Sequence, residues 1–130
     1  MRDHKKLRAF ELADALVLNV YRATRGFPDD EKFGLTSQLR RAAISIASNI
    51  VEGAARSSLP EYVRFLEIAY GSAKEVEYQL SIAERLGYGQ SDAVLALSDQ
   101  ASETAKVLHG LIRALRDKSL LRPFYLSPPA

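Results

Sequence analysis

The sequence of 130 residues has no cysteine, no tryptophan, one methionine and two histidines. Without thiols there can be no disulfide, thiol nucleophile or cysteine-bound metal, a composition compatible with the cytoplasm. Neither His4 nor His109 has a glutamate three residues before it, so the Glu-x-x-His pairs of di-iron bundles are missing. The seven glycines form neither G-x-G-x-x-G nor G-x-x-x-x-G-K, which removes the usual nucleotide-phosphate loops. No metal, cofactor or catalytic residue is expected, because no nucleophile and base fall into a recognisable arrangement. No stretch approaches the roughly 18 apolar residues that a membrane span needs. The basic start, MRDHKKLRAFELADALVLNVYRA, is broken by Glu11, Asp14 and Asn19 in a helical rhythm, which predicts an amphipathic helix and not a signal peptide. Strand alternation and solenoid repeats are missing as well.

What is present is helical periodicity, and it is strongest in GLTSQLRRAAISIASNIVEGAAR, Gly34 to Arg56. On a helical wheel Leu39, Ala43, Ile46, Ile50 and Gly53 share one arc, while Ile44, Ala47, Val51 and Ala55 form a second. A single bundle core needs only the first. Between the arcs runs a polar seam of Arg41, Ser45, Ser48, Glu52 and Arg56, at spacings of three and four. The pattern predicts a helix buried twice, once in its own bundle and again against another subunit.

Four helices are predicted, at about 7–25, 36–56, 59–86 and 92–121, forming one domain over 1–122 with a Pro-rich tail at 123–130. The first carries Phe10, Ala13, Val17, Val20, Tyr21 and Thr24 on one face and ends near Gly26. Asp29, Asp30 and Glu31 suit the first turn of a short helix, where exposed amides favour negative charge. Ser58, Pro60 and Glu61 form a start signal for the third helix, and Gly87 a stop. The fourth has Val94, Leu97, Ala101, Ala105, Leu108, Ile112 and Leu115 on one stripe and is expected to fray before Pro123, since PFYLSPPA cannot continue a helix. Short connections make consecutive helices antiparallel, so the fold class is all-α, an up-down-up-down four-helix bundle. The third helix also has a spare stripe, Ile68, Gly71, Tyr78, Ile82 and Leu86. With Ile44 and Val51 these make up the expected subunit interface, the alternative being that loops or the tail cover them.

Among the polar residues, Asn49 lies at the edge of the core arc, Glu52 and Arg56 are spaced for an intrahelical pair, and Glu75 and Glu77 sit on the third helix. A catalytic cluster of Asn49, Glu52 and Glu75 is one reading. The favoured one is that Arg41, Asn49, Glu52, Arg56 and Glu75 are a structural signature that orients the bundle or its contacts.

RRAAISIASNIVEG, followed by RFLEIAYGSAKEVE from Arg64 to Glu77, resembles the four-helix-bundle family of 23S ribosomal RNA intervening-sequence proteins. Leu7, Phe10, Val20-Tyr21, Phe27 to Gln38 and Leu86-Gly87-Tyr88 extend the resemblance. Phe10 stands where members commonly have Trp, and Ala47 where an intrahelical Pro is common. A distant similarity to the accessory variability protein of diversity-generating retroelements, a basic bundle that works with RNA, points the same way. The resemblance implies a ring-like homo-oligomer, a pentamer, with a poorly defined role.

Charge suggests the partner. The net charge is only +2, yet Arg2, Lys5, Lys6 and Arg8 against Asp3 give the start a net +3, and Arg113, Arg116, Lys118 and Arg122 against Asp117 give the end of the fourth helix another +3. An antiparallel bundle puts both clusters at one end, where an oligomer would multiply them and where Phe124 and Tyr125 could stack on unpaired bases. The leading expectation is a non-enzymatic, cytoplasmic, oligomeric bundle that binds structured RNA or a ribonucleoprotein through those eight residues. The alternative is an oligomeric protein-interaction scaffold whose basic residues only solvate the helix ends.

Overall fold

The computed structural model describes residues 2–126, with side chains to residue 118. Four helices are seen, α1 Arg8–Thr24, α2 Leu35–Ala54, α3 Leu59–Leu86 and α4 Ser91–Leu126, with single 3-10 turns at His4–Lys6 and Asp29–Glu31. Each helix packs on its sequence neighbours, and α1 and α4 also pack together, so the described residues form an up-down-up-down bundle without strands.

Local signals set the ends of α3. The Ser58 hydroxyl accepts the Glu61 amide at 3.2 Å, satisfying a free N–H of the first turn, and Pro60 sits where its missing N–H costs nothing. At the other end Gly87 takes φ 72°, a left-handed conformation that costs a Cβ-bearing residue about 1–2 kcal/mol, and Tyr88 returns its amide to the Ala83 carbonyl at 2.9 Å. The 28 residues between them span about 42 Å at 1.5 Å per residue.

The expected end of α4 needs correction. The helix does not stop at 121 but runs through Pro123 to Leu126. Proline's fixed φ near −65° is itself helical, and its missing N–H leaves one carbonyl of the preceding turn without its intrahelical donor. The rest of the predicted tail, 127–130, lies outside the described residues.

The core is layered aliphatic packing: Leu16 and Val20 from α1, Leu39, Ile46 and Ile50 from α2, Leu66, Val76 and Leu80 from α3, and Val94 and Leu108 from α4 are all sealed from solvent. Each such side chain contributes roughly 1.5–3 kcal/mol relative to exposure. On α1 the buried stripe is rotated from the expected one. Ala9, Ala13, Leu16, Val20 and Thr24 face the centre, whereas Phe10 and Val17 are half-buried and Tyr21 is exposed. The reason is that α1 sits between α2 and α4. Alanines on its midline admit both neighbours closely, and the larger groups fall on the α2 shoulder, where the Arg40 guanidinium lies 4.6 Å over the Tyr21 ring.

At the end of the bundle that holds the α1–α2 and α3–α4 connections, Glu31 joins the two. Its Oε1 accepts the Leu35 amide at 3.0 Å and its Oε2 accepts the Tyr88 hydroxyl at 2.8 Å, while Tyr88 leans on Phe27. The backbone bond from Leu35, then the Tyr88 bond, hold the Glu31 carboxyl below its ordinary 4.5. The same bond to Glu31, helped by burial, holds the Tyr88 phenol above its ordinary 10.0. A depressed acid stabilises the fold above pH 4.5 and loses that contribution as pH falls through its folded value. A raised phenol contributes below pH 10 and loses its contribution as pH rises further. Tyr88→Phe should therefore lower the melting temperature by a constant amount between about pH 5 and 9.5, with the difference shrinking outside that window. A pH series of melts on both proteins checks this, and a difference that persists unchanged at pH 3 contradicts the charged bond.

Candidate nucleic-acid interface

The opposite end of the bundle collects the chain start, the α2–α3 corner and the far half of α4. Asp3 caps the 3-10 turn His4–Lys6 by accepting the Lys5 amide at 3.1 Å, and the turn packs on α1 and α2. His4 meets Phe10 edge-on, with ring centroids 4.7 Å apart. Arg2 reaches the α2–α3 corner, where its Nη1 donates to the Arg56 carbonyl at 2.7 Å and its guanidinium lies 4.2 Å over the Tyr62 ring. On α4, Arg116 donates to Glu67 on α3. The two sequence-predicted clusters thus share an end, as antiparallel packing requires.

They are less basic than their count implies. Arg8 forms an ion pair with Glu103 at 2.7 Å, both side chains being more than half exposed, and Arg116 is neutralised by Glu67. Exposed pairs of this kind contribute about 0–1 kcal/mol each. Lys5, Lys6, Arg113 and Lys118 are exposed and form no ion pair among the described residues. The side chains of Arg122, Phe124 and Tyr125 lie outside the described set.

Two cations that the sequence reading had not placed in a nucleic-acid surface belong to this end. Arg56 does not pair with Glu52 as its spacing suggests; its guanidinium lies 4.6 Å over Phe65, and that of Arg64 lies 4.8 Å over the same ring. The signal was present in the sequence as Arg56 and Arg64 flanking Tyr62 and Phe65 across a helix start, but only the α2–α3 crossing puts Arg56 on Phe65.

The other polar signature residues have structural partners. Asn49 Nδ2 donates to the Ser45 carbonyl at 2.8 Å and to the Ser45 hydroxyl at 3.1 Å, and Ser45 and Ser72 share a hydroxyl bond of 2.9 Å across α2 and α3. Glu75 accepts from Gln79 at 3.1 Å. Arg41 and Glu52 are exposed. Asn49, Glu52 and Glu75 are therefore not brought together as a reacting cluster; Asn49 and Glu75 make bonds within their own helices, and it is the Ser45–Ser72 bond that crosses from α2 to α3. Among the described residues no three His, Asp or Glu side chains converge as metal ligands, and no helix is long and apolar enough to cross a membrane.

Of the residues expected at a subunit interface, Ile44 is 41% exposed, Val51 37%, Ile68 42% and Tyr78 63%; Ile82 is half-buried. They form two surfaces. Ile44 and Val51 lie on the side of α2 turned to α1, next to the Arg40–Tyr21 contact, and Arg41 and Glu52 separate them from the α3 stripe. On that stripe Gly71 is exposed, and a Cβ built there meets nothing within 4 Å. A mid-helix glycine costs about 1 kcal/mol relative to alanine, and among the described residues no contact requires it.

Fold and surface together define the class: an antiparallel four-helix bundle with an aromatic-braced basic end and, among the described residues, two partly exposed apolar faces. The chain belongs to the 23S rRNA-intervening sequence protein family, whose profile matches residues 5–110. A crystal structure of a protein with unknown function from the S23 ribosomal protein family of Bacteroides thetaiotaomicron is similar over 81% of this chain and 95% of that one, with 22% identity and a TM-score of 0.74. At that identity the likeness establishes the fold. No curated protein matches. The family match includes Arg56 and Arg64 and stops before Arg113, Arg116, Lys118 and Arg122.

Proposed function

We propose that this protein is a non-enzymatic, cytoplasmic, homo-oligomeric bundle that binds structured RNA, free or in a ribonucleoprotein, through its basic end. The observation that carries the reading is the gathering of Lys5, Lys6, Arg113 and Lys118, exposed and without carboxylate partners among the described residues, at the end that also holds Arg2, Arg56 and Arg64. Phosphates attract such a surface by releasing condensed counterions. Two apolar faces on different sides of one chain favour head-to-tail contact between copies, the kind of interface that closes into rings, and the family resemblance implies five copies. An assembled ring would repeat the basic end around an axis and let several weak phosphate contacts act at once.

The test is binding of a structured RNA to the purified protein across a salt series, with native mass measured in the same buffer. Affinity should fall linearly on logarithmic axes, losing roughly 0.7–0.9 of slope for each phosphate contact removed. Charge reversal at Arg113 and Lys118 should weaken binding and leave the mass unchanged. Arg116 is unsuitable for this purpose, because reversing it also breaks its contact with Glu67. No binding at low salt would overturn the RNA reading and favour the protein scaffold, whose contacts would be the apolar faces.

A further inference from the structure

We propose that the α2–α3 corner, with Arg2, Arg56 and Arg64 braced on Tyr62 and Phe65, is a phosphate-binding site for an RNA backbone; the inference rests on the RNA reading above. Three guanidiniums converge here from different parts of the sequence: the chain start, the second residue after α2, and the first turns of α3. Arg2 donates to the Arg56 carbonyl at 2.7 Å, which fixes it against the corner, and stacks at 4.2 Å on Tyr62. Arg56 and Arg64 lie over the Phe65 ring at 4.6 and 4.8 Å. Phe65 itself is 8% exposed and Tyr62 2%, so the rings are fixed parts of the bundle and hold the cations in defined positions.

The neighbouring carboxylates do not neutralise this group. Asp3 is turned to the Lys5 amide, and neither Glu52, one turn before Arg56, nor Glu61, in the first turn of α3, forms an ion pair with any of the three arginines. Like charges held together without a counter-charge repel one another, and an anion between them removes that cost. Stacking also uses only the face of a guanidinium. The N–H edges of Arg56 and Arg64 make no hydrogen bond among the described residues and can take a phosphate in a two-point contact, which a lysine ammonium does not reproduce, while Arg2, with Nη1 on the Arg56 carbonyl, offers its remaining N–H groups. Arg2, Ala55, Arg56 and Ser57 line an open surface depression of about 580 Å³, far larger than one phosphate. The α3 N-terminus beside it adds positive potential of the same sign.

The site differs from the exposed lysines and Arg113 of the same end in being preorganised, and that difference can be measured. Full-length wild type, Arg56→Gln/Arg64→Gln, Arg56→Lys/Arg64→Lys and Arg113→Gln/Lys118→Gln are titrated with one RNA hairpin bearing a single-stranded loop, by fluorescence anisotropy over a salt series. The glutamine pair at the corner should lose about tenfold or more in affinity at low salt, and its slope should become shallower by roughly 0.7–0.9 for each phosphate released. The lysine pair should restore the slope and only part of the affinity. Arg64→Gln alone, on an exposed side chain, gives the same direction with a smaller loss and guards against misfolding of the double variant, which circular dichroism checks in the same buffer. If wild type binds and the glutamine pair at the corner binds with equal affinity and slope, the corner site is wrong while the RNA reading stands. If the lysine pair matches wild type in affinity, point charge suffices and the preorganised site is wrong. If wild type does not bind at low salt, both fall.

Discussion

Gly53→Val is expected to destabilise the fold by about 3 kcal/mol, lowering the melting temperature by roughly 10 °C. Gly53 is in the last turn of α2, where it crosses the start of α3. A Cβ there would lie 2.9 Å from Phe65 Cβ, 3.2 Å from Tyr62 Cδ1 and 3.3 Å from the Tyr62 carbonyl oxygen. Cβ and backbone atoms cannot swing aside as the end of a flexible side chain can, so α2 and α3 must separate. Valine adds two methyls to the clash and recovers only a few tenths of a kcal/mol in helix propensity. Alanine is the milder test, its overpacking of about 1–3 kcal/mol being partly offset by about 1 kcal/mol of propensity. Gly71→Ala is the control: its Cβ meets nothing within 4 Å among the described residues, and in the isolated chain it should stabilise by about 0.5–1 kcal/mol. Phe65 and Tyr62 also brace the corner arginines, so under the proposed RNA reading Gly53→Val should weaken binding below its own melting temperature as well. Thermal melts of the three variants decide the matter, and a Gly53→Val melt within about 2 °C of wild type refutes the close approach.

The contrast between the two glycines illustrates what the sequence made legible. Core periodicity placed Gly53 on the same arc as Leu39, Ile46 and Ile50, and the structure buries all of these together. Ser58, Pro60 and Glu61 fixed the start of α3, and Gly87 its end, because capping chemistry acts over three or four residues and is written in contiguous text. Interactions across long separations were not legible. Arg8 and Glu103 are 95 positions apart and Arg116 and Glu67 are 49 apart, so a count of basic residues overstated the free charge of that end. Arg56 was misread for the same reason: Glu52 lies at the favourable helical spacing, but a half-turn past the end of α2 the arginine finds an aromatic ring on another helix. The rotated face of α1 follows from its position between two neighbours, a tertiary fact to which a single-helix wheel is blind.

Val51→Asp is expected to reduce the native mass to that of a single 14.4 kDa chain while the helical signal and the melt of the isolated bundle are retained. Val51 is 37% exposed and Ile44 41%, so within one chain a carboxylate at either position can reach water, and surface substitutions of this kind usually change stability by less than about 0.5 kcal/mol. Against a second subunit the same carboxylate would be buried without a partner, at a cost of several kcal/mol, enough to dissociate a contact of moderate affinity. The opposite face offers a matching test, since Tyr78 is 63% exposed beside the bare Gly71. If copies meet head to tail, the α2 face of one chain against the α3 face of the next, Val51→Asp and Tyr78→Asp each give single chains, for different reasons. Mixing them leaves one intact α2 face and one intact α3 face, which should pair into a dimer and go no further. A self-complementary contact predicts otherwise: if α2 faces pair with one another, Tyr78→Asp alone stays assembled and the mixture gains nothing. Sedimentation of each variant and of the equimolar mixture separates these outcomes, and a Val51→Asp protein of unchanged mass removes the α2 face from the interface.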